Sequence, residues 1–201
     1  MSDAAAWDER YASGGFAFGA KPNLYLEAQA ARLRPGMRAL AIGDGEGRNG
    51  VWLAERRLLV TSVDWSAAGL AKASALANAR GVSIRTVVAD LVGWDWPVGA
   101  FDLVAWIFVH LPPKDRAVVA ARAVEALSPG GLLVLEGFTP AQEGRRSGGP
   151  RDSALLWSAA LVREHFAGLE LLECLEGTVL LDEGPKHQGH AEVVRALLRK
   201  A

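Results

Sequence analysis

"ALAIGDGEGRNGVWLA", residues 39–54, joins a short apolar run, a glycine-rich turn and a segment whose apolar residues follow helical spacing. This order predicts a buried strand that leads through a tight turn into a helix. Small residues let the backbone approach a ligand, and the amides at the start of a helix bind polar or negative groups. The stretch therefore indicates a nucleotide-binding α/β fold, although a tight strand-to-helix turn alone also favours glycine.

Strands and helices alternate along most of the chain. Apolar or β-branched runs predict buried strands at 37–42, 58–63, 82–88, 101–109 and 131–138. The helical patterns between them predict parallel strands in a doubly wound sheet, with helices on both faces. Residues 169–199 instead predict two strands joined by a short loop, which requires an antiparallel pair.

The 201 residues suffice for one α/β domain and are short for two, so we expect a single domain over 1–201. The parts that we expect are an N-terminal helical cap (1–34), a cofactor-binding core (37–138), a loop (139–152) and a C-terminal β-hairpin (169–199). The loop is either a plain surface loop or a mobile lid. Cys174 is the single cysteine, which excludes an internal disulfide.

Charge and hydropathy limit the classes of partner. The net charge of −1 gives no electrostatic reason for a nucleic-acid or anionic-membrane partner. The longest apolar run, 103–109, is too short to span a bilayer, and the N-terminus has no signal-like apolar region. We expect a cytoplasmic monomer or homodimer that acts on a small molecule.

Polar groups follow each of the first three strands. In nucleotide-binding folds, an acid that binds ribose follows the glycine turn at a characteristic interval, and Asp64 follows Gly43 at about that interval. Asp64 also suits the cap of the next helix. Trp65 suits either adenine stacking or the core, and Asp90 suits either an adenine amine or a turn. Because open α/β sheets bind ligands at the carboxyl ends of their strands, the joint occurrence is more specific than each residue alone.

The segments "ALAIGDGEGRNGVWLA", "VTSVDWS", "VVADL", "FDLVAWIFVHLPP" and "LSPGGLLVLEGF" together resemble the ordered motifs of class I S-adenosylmethionine-dependent methyltransferases. "GEGRN", "VDWS", "FVHLP" and "EGPKHQG" are most similar to the small bacterial branch near the tellurite-resistance and thiopurine methyltransferases. The resemblance implies a Rossmann-like sheet of seven strands whose last strand is inserted antiparallel.

The resemblance also implies S-adenosylmethionine as cofactor and S-adenosylhomocysteine as product. The glycine loop would lie under the methionine part, Asp64 on the ribose hydroxyls and Asp90 beside adenine. The expected cofactor-binding residues are Gly43, Asp44, Gly45, Gly47, Asn49, Asp64, Trp65, Ser66, Asp90, Leu91, Ile107 and Phe108. Tyr11 and Phe18 would supply an apolar cover from the N-terminal segment.

Ala41 departs from the family pattern, because the family usually has an acid two residues before the first glycine. That acid helps to orient the amino group of the cofactor. We expect Asp44 to substitute for it in part, with weakened cofactor affinity.

His110 and His187 are the candidate catalytic residues. His110 would be a base or a substrate hydrogen-bonder at the pocket mouth, or else a loop histidine bonded to the backbone. The resemblance places a histidine such as His187 towards the substrate, whereas without the resemblance His187 and His190 would be exposed turn residues. No His/Asp/Glu cluster has convincing metal-ligand spacing, so no metal is expected.

We expect methyl transfer to a small acceptor, such as a thiol, selenium or tellurium compound. "HLPP" at 110–113 lacks the (D/N)PP(Y/F) pattern of amino-methylating nucleic-acid enzymes. One alternative is a nicotinamide-dependent oxidoreductase, disfavoured because Arg48 stands where the dinucleotide fingerprint needs glycine. Another alternative, which Ala41 leaves open, is a cofactor-binding protein with lost or regulatory activity.

Overall fold

The computed structural model describes residues 4–12 and 14–201. The helices of these residues are α1 (Ala4–Ala12), α2 (Leu24–Ala28), α3 (Arg48–Glu55), α4 (Ala67–Ala79), α5 (Pro113–Ala126) and α6 (Ala159–His165). The strands are β1 (Arg38–Ile42), β2 (Leu59–Asp64), β3 (Arg85–Val88), β4 (Phe101–Ile107), β5 (Leu127–Phe138), β6 (Glu170–Asp182) and β7 (Gln188–Arg199). Short 3-10 turns occupy Ala30–Arg32, Pro140–Gln142 and Ser153–Leu155.

The strands form a seven-stranded sheet in the order β3-β2-β1-β4-β5-β7-β6. The pairs β1–β2, β2–β3 and β4–β5 are parallel, whereas β7 runs antiparallel to both β5 and β6. The predicted doubly wound, mostly parallel sheet with an antiparallel C-terminal strand is therefore confirmed.

The chain divides into two compact units, each with strands of its own. The first unit runs to Trp94 and also includes Glu183–Lys186, and it contains β1, β2 and β3. The second unit comprises Asp95–Asp182 and His187–Ala201, and it contains the four remaining strands.

Local signals explain where the helices begin. Ser66 caps α4 by accepting the N–H of Gly69 at 3.0 Å. Pro113 occupies the first turn of α5, where its missing N–H costs no hydrogen bond. Gly81 follows α4 with a left-handed φ of 68°, a conformation that glycine adopts without strain.

Several boundaries differ from the predictions. β3 is shorter than expected, because the N–H of Val82 bonds back to Ala77 at the end of α4 and Ile84 packs against that helix. The segment 128–131 belongs to β5, since Leu127 already has an extended backbone. In the N-terminal region, the second helix has only five residues.

Loop 139–152 is bound to β7 by two buried side chains. Gln142 accepts the N–H of Glu192 at 2.8 Å, and the hydroxyl of Ser147 donates to the carbonyl of His190 at 2.7 Å. These bonds hold the loop at both ends of its turn, and its mobility stays a prediction. Among the residues that the structure describes, no helix is long and apolar enough to cross a membrane.

Candidate functional site

The glycine turn between β1 and α3 has the backbone that its sequence predicts. Gly43, Gly45 and Gly47 have φ values of 55°, 53° and 85°, the left-handed region that glycine adopts readily. A Cβ on Gly47 would lie 2.5 Å from that of Ala73, and one on Gly45 would lie 2.4 Å from the hydroxyl of Tyr11. Glycine at these two positions is therefore required by both conformation and packing.

Asp64 joins the end of β2 to this turn. Its Oδ2 accepts the N–H of Gly45 at 2.8 Å and its Oδ1 accepts the N–H of Ser66 at 2.8 Å. Burial raises the pKa of Asp64, and the N–H donors of Ser66 and Gly45 oppose that rise. The backbone N–H of Trp65 also bonds to this carboxylate, so about one of its roughly four acceptor sites remains for a ribose hydroxyl. The binding of a ribose by Asp64 stays a prediction.

The side chain of Asp44 is hydrogen-bonded within the protein. Its Oδ2 accepts the hydroxyl of Ser62 at 2.7 Å and its Oδ1 accepts the N–H of Gly50 at 3.2 Å. Burial raises the pKa of this carboxyl to about 6. The side chain of Asp44 is thus bonded to β2 and α3, and its partial replacement of the acid missing at Ala41 stays a prediction. Its backbone remains part of the turn.

The N-terminal segment packs against the glycine turn, and its expected role as a cover for the cofactor stays a prediction. The rings of Trp7, Tyr11 and Phe18 pack together, with centroids 5.4–6.5 Å apart. Tyr11 is buried and also faces Gly69. Asp8 accepts the Ser66 hydroxyl at 2.6 Å, which binds α1 to the start of α4.

Glu46, inside the turn, binds the same segment from the other side. It accepts the N–H of Ala17 at 2.7 Å and pairs with Lys72 at 2.9 Å. Lys72 in turn donates to the carbonyl of Gly15 at 2.6 Å. The N-terminal segment and the turn are thus connected by charged side chains as well as by aromatic packing.

The residues expected beside adenine, Asp90, Leu91 and Trp65, have contacts that do not distinguish a ligand-binding role from a structural one. Asp90 is exposed, and its Oδ1 accepts the N–H of Val92 at 3.0 Å, which is the turn role given above as its alternative. Leu91 is buried, and Trp65 is half-buried. Their contact with a cofactor stays a prediction.

A second group of candidates lies in the second unit, at the end of β4. Ile107 is buried, and Phe108 has a φ of 54°, which is strained for a bulky residue. The ring of Phe108 lies 4.6 Å from the rings of both Phe138 and His187. Strain of this kind often occurs at functional sites.

His110 is held as a backbone-bonded loop histidine. Its Nδ1 lies 3.1 Å from the carbonyl of Leu155, and its Nε2 accepts the N–H of Phe138 at 3.4 Å. Burial lowers its pKa to about 4. These contacts match the alternative of a loop histidine bonded to the backbone, and a catalytic role for His110 stays a prediction.

His187 is buried between aromatic rings, 5.4 Å from Phe138 in an edge-on arrangement. The alternative of an exposed turn residue is therefore wrong for His187, although His190 is exposed. Within the described ranges 4–12 and 14–201, no cluster of three or more His, Cys, Asp or Glu side chains is arranged to hold a metal ion.

Sequence reasoning missed a buried polar network in the first unit. Arg48 pairs with Glu183 at 2.7 Å, and Glu183 also accepts the side-chain amide of Asn23 at 2.9 Å. Asn49, expected to bind the cofactor, accepts the N–H of Asn23 at 2.9 Å. The sequence signal for this network was that Arg48 lies in the motif "GEGRN" and Glu183 in the motif "EGPKHQG".

The structure brings Gly45, Asp64 and Ser66 together in the first unit, and Phe108, Phe138 and the two histidines His110 and His187 together in the second. Residues 39–131 match the family model described as a methyltransferase domain. The chain belongs to the class I S-adenosylmethionine-dependent methyltransferases. S-Adenosylmethionine is the cofactor of this methyltransferase family.

Two curated relatives support the same assignment. Glycine/sarcosine N-methyltransferase of Halorhodospira halochloris is 34% identical over 142 residues, which are 67% of this chain and 48% of the relative. Ribosomal protein L11 methyltransferase of Thermus thermophilus is 35% identical over 171 residues, which are 83% of this chain and 61% of the relative. This methyltransferase chain thus spans between about half and three fifths of the length of these relatives.

The fold is also found in solved structures. TehB from Haemophilus influenzae superposes with a TM-score of 0.72 at 18% identity, covering 97% of this chain and 66% of TehB. At this identity the likeness shows the methyltransferase fold alone.

Proposed function

We propose that the protein transfers a methyl group from S-adenosylmethionine to a small, soft nucleophile such as a thiol, selenium or tellurium compound. The observation that supports cofactor binding best is the bond between Asp64 and Gly45, which joins a buried acid to a glycine turn. Membership of the methyltransferase family supports S-adenosylmethionine as the cofactor.

When bound, S-adenosylmethionine would supply a methyl group activated by its sulfonium: a nucleophile in line would bond to the methyl carbon as the carbon–sulfur bond breaks, with S-adenosylhomocysteine as the leaving group. Asp64 would accept a ribose hydroxyl, and the left-handed glycines would let the backbone lie close to the ligand. The aromatic cover of Trp7, Tyr11 and Phe18 would exclude water from the reacting groups.

The proposed acceptor class is supported by the surroundings of the two predicted catalytic residues, His110 and His187. A hydroxyl or amine acceptor needs proton removal, whereas a thiolate or selenide needs little or none. His110 has both nitrogens bonded to the backbone, and its lowered pKa makes it a poor proton acceptor. His187 lies against Phe108 and Phe138, surroundings that suit an apolar or polarisable acceptor.

The relatives make two other acceptors worth testing. One is named for glycine and sarcosine, which are amines, and the other for a ribosomal protein. The absence of the (D/N)PP(Y/F) pattern at 110–113 and the net charge of −1 favour a small molecule over nucleic acid.

The experiment has two parts. Calorimetry with S-adenosylmethionine, S-adenosylhomocysteine and NADH should show binding of the first two and none of NADH. Methyl transfer should then be measured with thiols, selenite and tellurite, against catechols, glycine, sarcosine and ribosomal protein L11. Transfer to thiols, selenium or tellurium compounds is the expected result. NADH binding would favour the oxidoreductase, and cofactor binding without any turnover would favour a regulatory protein.

A further inference from the structure

A buried ion pair links the glycine turn to the C-terminal hairpin within the first unit. Nη1 of Arg48 lies 2.7 Å from Oε2 of Glu183, and both side chains are at most 8% exposed. Arg48 follows directly after Gly47 and begins α3, whereas Glu183 follows directly after β6. The two residues are 135 positions apart in sequence. Because buried charges need a partner, the position of each depends on the other.

The second oxygen of Glu183 binds a third segment. Oε1 accepts the side-chain amide of Asn23 at 2.9 Å and the N–H of Leu24 at 3.2 Å. The backbone N–H of Asn23 donates to the side chain of Asn49 at 2.9 Å. Glu183 therefore holds the start of α2. Asn23, which precedes α2, binds the first helical turn of α3 through Asn49.

The residues after Glu183 reach the glycine turn by a separate route. A Cβ on Gly184 would lie 2.3 Å from the nitrogen of Gly19, so the loop and the N-terminal segment are in close contact. The N–H of Lys186 donates to the carbonyl of Ala17 at 3.2 Å. The N–H of Ala17 donates to Glu46 inside the turn. One route from the hairpin loop therefore ends at the start of α3, directly after the glycine turn, and the other ends at Glu46 inside the turn.

We propose that Glu183 is a positioning residue for the cofactor. It fixes Arg48 and Asn49 in the first turn of α3, and thereby fixes the backbone of the glycine turn that precedes them. The inference rests on the proposed function, because it assumes that the cofactor binds this turn. Glu183 acts through Arg48 and Asn23, because its carboxylate binds these side chains and does not contact the cofactor itself.

The test compares Glu183→Gln with the unmodified chain. Glutamine preserves the size of the side chain and an acceptor for Asn23, but it removes the charge that Arg48 requires. Two readouts are taken at a temperature where the variant is folded by circular dichroism. These are the Kd for S-adenosylhomocysteine and the amide hydrogen exchange of residues 43–47 in the ligand-free protein.

We expect the Kd to rise at least tenfold and the amides of 43–47 to exchange faster. Glu170→Gln is the matched control, because Glu170 lies on the same hairpin in an exposed pair with Arg199. This control should leave both readouts unchanged. If Glu183→Gln does not fold, Arg48→Lys is the second variant, because it keeps both charges and changes the geometry of the pair. The Kd should rise and the amides of 43–47 should exchange faster in this variant as well.

A lower melting temperature with an unchanged Kd and unchanged exchange would overturn the inference, because Glu183 would then only stabilise the fold. Failure of the unmodified chain to bind S-adenosylhomocysteine would contradict the proposed function and the inference together. Binding by the unmodified chain with an equal Kd in Glu183→Gln would contradict the inference alone.

Discussion

The carboxylate of Asp64 accepts the backbone N–H of Gly45 at 2.8 Å, and this bond joins the end of β2 to the glycine turn. It fixes an acid beside a backbone with left-handed φ angles, in a place covered by Tyr11. A buried carboxylate that accepts only part of its possible hydrogen bonds suits a ligand with a hydroxyl. The cofactor assignment depends on this relationship more than on any other.

Replacing Ala41 should show whether the missing acid weakens cofactor binding. Ala41→Asp introduces the carboxylate that the family usually has at this place, so affinity for S-adenosylmethionine should increase. Ala41 is buried, and the added charge should also lower the melting temperature. Calorimetry on Ala41→Asp and on the uncharged control Ala41→Asn checks the effect. Equal affinity in all three proteins would mean that the amino group is held by other residues.

Asp44 should make stability depend on pH. Its pKa is about 6 in the folded protein, above the ordinary value of 3.8, because burial disfavours the charged form. The folded state therefore binds more protons than the unfolded state between these values, and this contribution to stability is lost as pH rises from about 4 to 6. The loss is at most about 3 kcal/mol.

Urea unfolding of Asp44→Asn and of the unmodified chain between pH 4 and 7 tests this effect. The difference between the two free energies of unfolding isolates Asp44 from other titrating groups. As pH rises across this range, the unmodified chain should lose roughly 2–3 kcal/mol of stability relative to Asp44→Asn. Parallel curves would show that Asp44 titrates near its ordinary value.

His110 should act in the opposite direction. Its pKa is lowered from 6.5 to about 4 by burial, so the unfolded state binds more protons between these values. Its contribution is complete above about pH 6.5 and is lost as pH falls towards 4, by at most about 3 kcal/mol. His110→Gln preserves a donor and an acceptor without titrating. The unmodified chain should therefore lose more stability on acidification than this variant does, which urea unfolding at each pH measures.

His187 and His190 form a natural pair for testing the acceptor side. His187 is buried against Phe108 and Phe138, whereas His190 is exposed on the same hairpin. His187→Ala should lower kcat for thiol methylation by about tenfold to a hundredfold, because misplaced reactants lose rate steeply. The Kd for S-adenosylhomocysteine should change by less than about twofold. His190→Ala should leave both quantities unchanged, and full activity in His187→Ala would remove this residue from the acceptor site.

The sheet could be predicted from sequence because its signals are local. Runs such as 37–42 and 58–63 have the apolar patterning of buried strands, and Ser66, Gly81 and Pro113 lie at helix ends for reasons of backbone chemistry. The short loop between β6 and β7 likewise allows only an antiparallel connection.

The side-chain partners could not be predicted in the same way, because they are distant in sequence. His110 bonds to Leu155 and Phe138, which are 45 and 28 positions away, and no local pattern indicates that its nitrogens are used. Glu183 finds Arg48 across 135 positions. Asp44 could face a ligand or the core from the same turn, and only the placement of Ser62 decides between them.

The most direct test of the cofactor assignment is the Kd of Asp64→Ala for S-adenosylhomocysteine, measured by calorimetry beside the unmodified chain. Asp95→Ala serves as control, because Asp95 is exposed. Removal of a hydrogen bond between a carboxylate and a ribose hydroxyl, worth about 1.5–3 kcal/mol, should weaken binding roughly tenfold or more. An unchanged Kd in folded Asp64→Ala would show that this carboxylate only holds the glycine turn and Ser66, and would contradict the proposed cofactor site.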